Sequence, residues 1–480
     1  MTVTVRKRRF LALIPLSVLI VLLALDISIF GADSILGASQ VALLAAAGVC
    51  IAISTWVYKV PWKSFEQTIS SHVGDIAVAI LILLLIGAIS GTWTLSGIVP
   101  TLICYGLKII SPKVFLLTAC LLCAIVSLLI GSSWTTIATV GVALLGIGRA
   151  EGFSDALTAG AIISGAYFGD KISPLSDTTV LASSINRVDL FAHIRYMLLS
   201  TGPSMIITLV IFTVIGLCHP VADQGQMTEY AEVLRAHFHI TPWLLIVPLL
   251  TAVMIWRKMP AVVVLALSTL AAAIAALIFQ PDLLASIGAG VTDGSRARLL
   301  FTGVVESIYN SVSVETGSEA VNQLVSPRGM IGMLNTVYLI LCSMTFGGCM
   351  RASGMISDLA GILTPLTRTR TGLVGTTVVT GTALNGIVSD QYLSIILTSN
   401  LYRERFEKEG YEMRLLSRSV EDSATATSPL FPWSSCGMTQ AAILSVPTLV
   451  YAPFCFFNIL SPLMSVLIAA IGWKIVRNKQ

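Results

Sequence analysis

Apolar runs of about twenty residues recur along the whole of this 480-residue chain, far more than a water-soluble fold has room to bury. Clear runs cover residues 10–30, 37–57, 75–95, 112–130, 197–217, 241–256, 260–279, 331–347 and 445–472, with shorter ones at 96–110 and 353–366. In hydrocarbon a helix satisfies its own backbone, so the expected fold is an all-α polytopic membrane protein of about eleven or twelve transmembrane helices. Only 11% of the residues are charged, against about 25% in ordinary soluble domains. Arg6, Lys7, Arg8 and Arg9 precede the first run, and Lys474, Arg477 and Lys479 close the chain. Positive-inside bias places both termini in the cytoplasm.

Function lies where this pattern breaks. Segments 131–148, 153–188, 282–325, 371–400 and 419–443 are rich in Gly, Ser, Thr and Pro, which membrane depth tolerates only beside protein or a water-filled cavity. The second holds Gly169-Asp170-Lys171-Ile172-Ser173-Pro174-Leu175-Ser176-Asp177-Thr178-Thr179. Ionisable groups at that depth mark functional sites. Ser173-Pro174 reads as a helix start, with Ser as N-cap and Pro in the first turn. A helix broken over 169–181 is therefore expected, and broken helices are where secondary transporters bind their cargo.

Ser173-Pro174-Leu175 recurs as Ser428-Pro429-Leu430, and residues 87–97 resemble 347–354. The spacing predicts two structural repeats with broken or re-entrant helices at the midplane, where the two Ser-Pro breaks meet. N-terminal helices fill 1–60, the first repeat 61–218 and an extracytoplasmic loop 219–240. Linking helices and the second repeat, broken at 381–391 and 421–433, fill 241–480. The run of Arg403, Arg405, Lys408, Arg414 and Arg418 reads as a solvated cytoplasmic face. Arg149, Glu151 and Asp155 read as an interfacial link, and Glu306, Glu315 and Glu319 as a largely aqueous stretch.

The break suits a hard monovalent cation, which prefers oxygen ligands. Thr135, Thr136, Ser173, Ser176, Thr178 and Ser428 offer hydroxyls, and Asp170, Asp177 and Asp390 offer charge. A carboxyl stripped of water also holds a proton more readily, so one group can take H+ or Na+ in turn. Lys171 could pair with Asp170 until Na+ arrives. Plainer roles stand beside these: a static Asp170–Lys171 pair, and Asp177 as a carboxylate favoured by a helix dipole. The start at Pro429 carries no acid in its first turn, which leaves it open to a substrate carboxylate. An intramembrane aspartyl protease would also need paired aspartates, but Gly-x-Gly-Asp is absent because residue 167 is Tyr. No nucleotide-binding loop is present, and Cys120 and Cys123 lie in an unbroken apolar run. No enzyme, bound cofactor or nucleic-acid partner is expected.

The stretch Gly165–Thr179 resembles the signature segment of the NhaC family of Na+/H+ antiporters, within the ion transporter superfamily. Gly131–Thr136, Asn385–Gln391 and Glu421–Leu430 resemble it as well, so the likeness runs from about residue 75 to the C-terminus. The resemblance implies a secondary active transporter of a bacterial cytoplasmic (inner) membrane, exchanging Na+ for H+ by alternating access. Na+ would sit at Asp177 and Asp390, with Asn385 and Pro429 beside them, in a protein that dimerises with itself. Family members also include malate/lactate exchangers and carriers proposed for amino acids. A Na+- or H+-coupled organic-anion or amino-acid transporter is thus the alternative.

Overall fold

The computed structural model describes residues 5–30, 37–218, 224–257, 259–318, 321–322, 325–363 and 369–475. Glu319, Arg477 and Lys479 lie outside them. The described chain is helical. Its first half contains α1 (Val5–Phe30), α2 (Ala38–Ile53), α3 (Trp62–Asp75), α4 (Ala77–Leu95), α5 (Ile98–Ile109), α6 (Phe115–Ile130), α7 (Ser133–Thr136), α8 (Val142–Ala150), α9 (Asp155–Ile172), α10 (Asp177–Ile185), α11 (Leu190–Cys218) and α12 (Gln224–His237). The second half contains α13 (Ile246–Trp256), α14 (Ala261–Phe279), α15 (Pro281–Ala289), α16 (Arg296–Tyr309), α17 (Leu334–Ala352), α18 (Met355–Leu363), α19 (Arg370–Val388), α20 (Gln391–Lys408), α21 (Met413–Val420), α22 (Ser435–Leu444), α23 (Thr448–Tyr451) and α24 (Phe456–Ile471).

Among the described residues eight helices are long and apolar enough to cross a membrane, or ten if each of two bent pairs is one span. That is fewer than the eleven or twelve expected, for two physical reasons. The runs at 96–110 and 353–366 form α5 and α18, of 12 and 9 residues; at about 1.5 Å per residue neither reaches across roughly 30 Å of hydrocarbon. The polar segments 131–148, 282–325 and 419–443 are divided by breaks into helices of 14 residues or fewer, whereas 371–400 supplies α19, one of the eight. The 219–240 loop, in turn, carries α12, which buries Tyr230 and Leu234.

Two layers of packing support the site. α1, α2, α3 and α17 enclose a core that includes Leu43, Phe65, Phe346 and Met350, while α4 packs on α14 and α16. In a second core, shared with α4 and α14, α6 and α9 lie in close contact. A Cβ on Gly165 would fall 2.0 Å from the Cys120 carbonyl oxygen, so only glycine permits this approach.

α11, 29 residues and about 43 Å long, measures the two ends of the bundle. Near its start Tyr196 donates to the Lys474 carbonyl (3.2 Å), and Arg403 donates to the Ile185 carbonyl just before it. Near its end Gly216 abuts the Lys113 carbonyl.

Candidate functional site

Two chain reversals and two helix breaks converge. In the first reversal α6 ends at Gly131, whose φ of +73° turns the chain. Ser132 then accepts from the Thr135 N–H (3.3 Å), and α7 continues through a π-helical turn, Ile137–Gly141, into α8. Phe115 and Phe153, at the far ends of the two limbs, stack at 5.4 Å, so both limbs return to one end of the bundle. In the second reversal α19 ends at Ser389, φ +64°, and Asp390 caps α20 by accepting from the Leu393 N–H (2.9 Å). These limbs open at the other end, where Arg370 donates to the Ala469 carbonyl (2.6 Å) and Arg403 to that of Ile185. Each reversal needs a left-handed residue followed by a cap.

The helices are interrupted at residues 173–176 and 428–434, and they restart after the Ser-Pro pairs. Ser173 ends α9, and its hydroxyl donates back to the Leu128 carbonyl (2.8 Å). The restart is at Ser176, which accepts from the Thr179 N–H (3.4 Å). Likewise the Ser428 hydroxyl bonds the Thr425 carbonyl (2.8 Å), and α22 is capped by Ser434, which accepts from the Gly437 N–H (3.0 Å). Each Ser-Pro pair therefore closes a helix instead of opening one, because Pro blocks continuation of the preceding turn. Gly131 and Ser389, Ser132 and Asp390, and Ser176 and Ser434 are pairs 258 residues apart.

The second reversal and the second break both reach the first break. Tyr392 donates to Asp177 Oδ2 (2.7 Å), and Thr179 Oγ1 lies 3.5 Å from Glu421 Oε1. Lys171 Nζ donates to Asp422 Oδ1 (2.6 Å) and to Ser461 (2.8 Å). Lys171 is thus not paired with Asp170, its neighbour in sequence; successive helical residues point apart. Asp170 Oδ2 instead accepts from the Ser133 N–H (3.1 Å) and hydroxyl (2.7 Å).

Burial divides the candidate acids. Asp170 and Asp390 are 4% exposed and Glu421 and Asp422 fully buried, while Asp177 is exposed. Asp170 Oδ1, Glu421 Oε2 and Asp422 Oδ2 lack a hydrogen-bond partner, although Arg418 Nε lies 3.8 Å from the last. Arg418, expected on a solvated face, is fully buried, because one helical turn sets it beside Asp422. Two basic side chains, Lys171 and Arg418, therefore share the cluster with three carboxyls.

The hydroxyl candidates line the same region. Thr135 and Thr136 bond Ser132 at the first reversal (3.1 and 2.9 Å), Ser176 bonds Thr178 (3.0 Å), and Ser428 bonds Gln391 (3.3 Å). Asn385 donates to the Ala424 carbonyl (2.7 Å) and to Thr427 (3.0 Å), and its own oxygen has no partner. The Pro429 carbonyl accepts from Tyr451 (2.8 Å).

Sequence reasoning missed Ser133, Tyr392, Arg418, Glu421 and Asp422 as site residues. Glu421-Asp422 could have been found as two adjacent acids in an apolar half-repeat. Two further readings change. Glu306 is buried and accepts from Tyr309 (2.9 Å) and Asn310 (2.6 Å), so it closes the end of α16 and is not aqueous. Glu151, expected at an interface, is fully enclosed near the half-buried Arg149–Asp155 pair.

A sequence family described as the Na+/H+ antiporter family matches residues 3–196 and 165–473. The Na+/H+ antiporter NhaC of Alkalihalophilus pseudofirmus is 36% identical over 414 residues, 86% of this chain and 86% of that one. The Na+/H+ antiporter NhaC of Bacillus subtilis is 35% identical over 86% of this chain and 88% of its own length. The malate-2H+/Na+-lactate antiporter of Bacillus subtilis is 35% identical over 83% and 82%. With most of its length matched in each case, the chain belongs to the NhaC-type Na+/H+ antiporter family, as a multi-pass membrane transporter and not an enzyme.

Proposed function

We propose that the protein exchanges Na+ for H+ by alternating access, with Asp170 and Glu421 as the carboxyls that hold one or the other. One observation carries this: a buried cluster of two basic side chains and three carboxyls, with carboxyl oxygens that no protein donor satisfies. Uncompensated charge is costly at that depth. Lys171 and Arg418 offset two carboxylates, and the third is left to bind a proton or a Na+. Those two states are the two loads of an antiporter.

The hydroxyls of Thr135, Thr136, Ser173, Ser176, Thr178 and Ser428 remain lining groups in this reading. The charge moves from Asp177 and Asp390, which each sit at a helix start, to Asp170 and Glu421. The paired reversals, entering from opposite ends and 258 residues apart, support two inverted repeats around one midplane site. Rocking of that assembly against the α1–α3 and α17 layer would expose the cluster to each side in turn.

A second reading has its own observation. Nη1 and Nη2 of the buried Arg418 have no hydrogen-bond partner, and a guanidinium suits a carboxylate. This favours an organic anion as co-substrate, in the manner of the malate/lactate relative's name. Reconstituted vesicles with an internal pH dye separate the two. Na+ alone should drive proton movement under the first reading; flux that appears only with malate or lactate present overturns it in favour of the second.

A further inference from the structure

Two cavities lie one above the other where α5 meets the bent α12–α13 segment. The first, about 280 Å³, is lined by Tyr105 and Lys108 of α5 and by Arg235 and His239 from the other side. No acidic side chain lines it, and neither Lys108 nor Arg235 forms an ion pair among the described residues. His239 is held in place: Gln280 accepts from its N–H and donates to its carbonyl (3.1 Å each), and its ring stacks on Phe279. Lys108 and Arg235 each stand in a last helical turn, where the dipole alone favours a cation. That accounts for each separately, but not for their convergence with His239 on one cavity. Ile109 and Trp243 flank it, 81% and 66% exposed, as side chains at a membrane boundary do.

The second cavity, about 430 Å³, begins one turn back along α5 at Leu102 and runs between α6 and α13. Its hydroxyls are already satisfied. Thr139 bonds the Thr135 carbonyl (2.8 Å), and Thr251 bonds Val247 (2.9 Å) and Ser268 (2.7 Å). Nothing in its wall asks for a polar partner, and Leu129 and Val253 carry it to the outer, lipid-facing surface.

We propose that the two cavities form one phospholipid site, with the phosphate among Lys108, Arg235 and His239 and an acyl chain in the apolar cavity. Basic pockets between membrane helices hold lipid headgroups in this way. The acyl chain lies against Thr139 and Val140, in the π-helical turn that directly follows Thr135 and Thr136. The lipid thereby joins the first re-entrant limb to the α5–α13 wall.

The test is photolabelling of the full-length protein in vesicles that contain phosphatidylglycerol with a diazirine in its acyl chain. Adducts should concentrate within residues 126–143 and 248–255. The double variant Lys108→Gln, Arg235→Gln should lower this labelling about thirty-fold, without a change in thermal stability because both side chains are exposed. Ala252→Phe, which fills the apolar cavity and leaves the charges alone, should lower it as well. Labelling insensitive to both changes would mean ordinary surrounding lipid and overturn the site. Displacement of the probe by inorganic phosphate at constant ionic strength would make it a soluble-oxyanion site and overturn the lipid assignment; retention of the label supports it.

Discussion

Glu421→Gln keeps the volume of a fully buried side chain and removes one negative charge from the cluster. The amide imitates the protonated carboxyl, so the variant should be fixed in the proton-loaded form. Two cations and two carboxylates then balance without Na+. A carboxylate oxygen about 2.4 Å from a hard cation attracts it by about 7 kcal/mol at an effective dielectric constant of about 20. A neutral amide oxygen returns part of that through its dipole. If half is returned, about 3.5 kcal/mol is lost, or roughly 300-fold in Na+ affinity. Calorimetric titration of the purified protein with NaCl reads the affinity, and a pH dye inside vesicles reads the exchange. The fold should be unharmed, since removal of a surplus buried charge does not destabilise. Asp170→Asn should behave alike, whereas the double variant leaves the cluster at net +1 and should melt earlier than either. Sodium affinity in Glu421→Gln within about three-fold of the parent, with exchange intact, would refute this assignment of the third carboxyl.

Lys171→Gln strips Asp422 of its 2.6 Å partner; breaking a buried pair costs about 3–5 kcal/mol, so a clear fall in thermal midpoint is expected, measured by differential scanning fluorimetry. Under the proposed competition of protons and Na+ for one carboxyl, apparent Na+ affinity should rise with pH towards about one decade per unit while the site is protonated, then level off; transport assays between pH 6 and 9 check the slope, which Glu421→Gln should abolish. Asp177→Asn and Asp390→Asn should retain measurable Na+-driven proton movement in vesicles; complete loss in both, with normal exchange in Asp170→Asn, would return the charge to those two residues.

Local features of this chain are written in its sequence, and long-range pairings are not. The membrane class and both breaks follow from apolar run length and from Ser-Pro pairs, which are local properties, and the chain reads them out directly. Where a helix restarts is also local, yet it was misplaced, because Ser173 and Ser428 turn their hydroxyls back to the preceding turn and leave Ser176 and Ser434 as caps. Partners are another matter. Lys171 sits next to Asp170 in sequence, but its partner lies 251 residues away. No one-dimensional pattern carries that pairing; it exists only because two broken segments are folded against each other.

The same pairing sets a limit on how the cluster can work. Asp422 Oδ1 is already bonded to Lys171 and Ser461, and its Oδ2 faces Arg418. It is thus ringed by positive charge and is the least available of the three carboxyls to a Na+. Asp170 has one oxygen held by Ser133 at the first reversal and one free; Glu421 has one oxygen near Thr179 and one free. Each free oxygen belongs to a different half of the chain. A cation bridging them would draw the two halves together, and a proton on either one would not. Na+ and H+ would then differ in how tightly they join the halves, and the replacement of one by the other could be felt by the moving assembly. Replacing Thr179 with Val removes the hydroxyl beside Glu421 while it keeps both carboxyls. It should weaken coupling, read as Na+-independent proton leak in vesicles, more than it weakens Na+ binding. Equal losses of both would mean that the hydroxyl serves the ion alone.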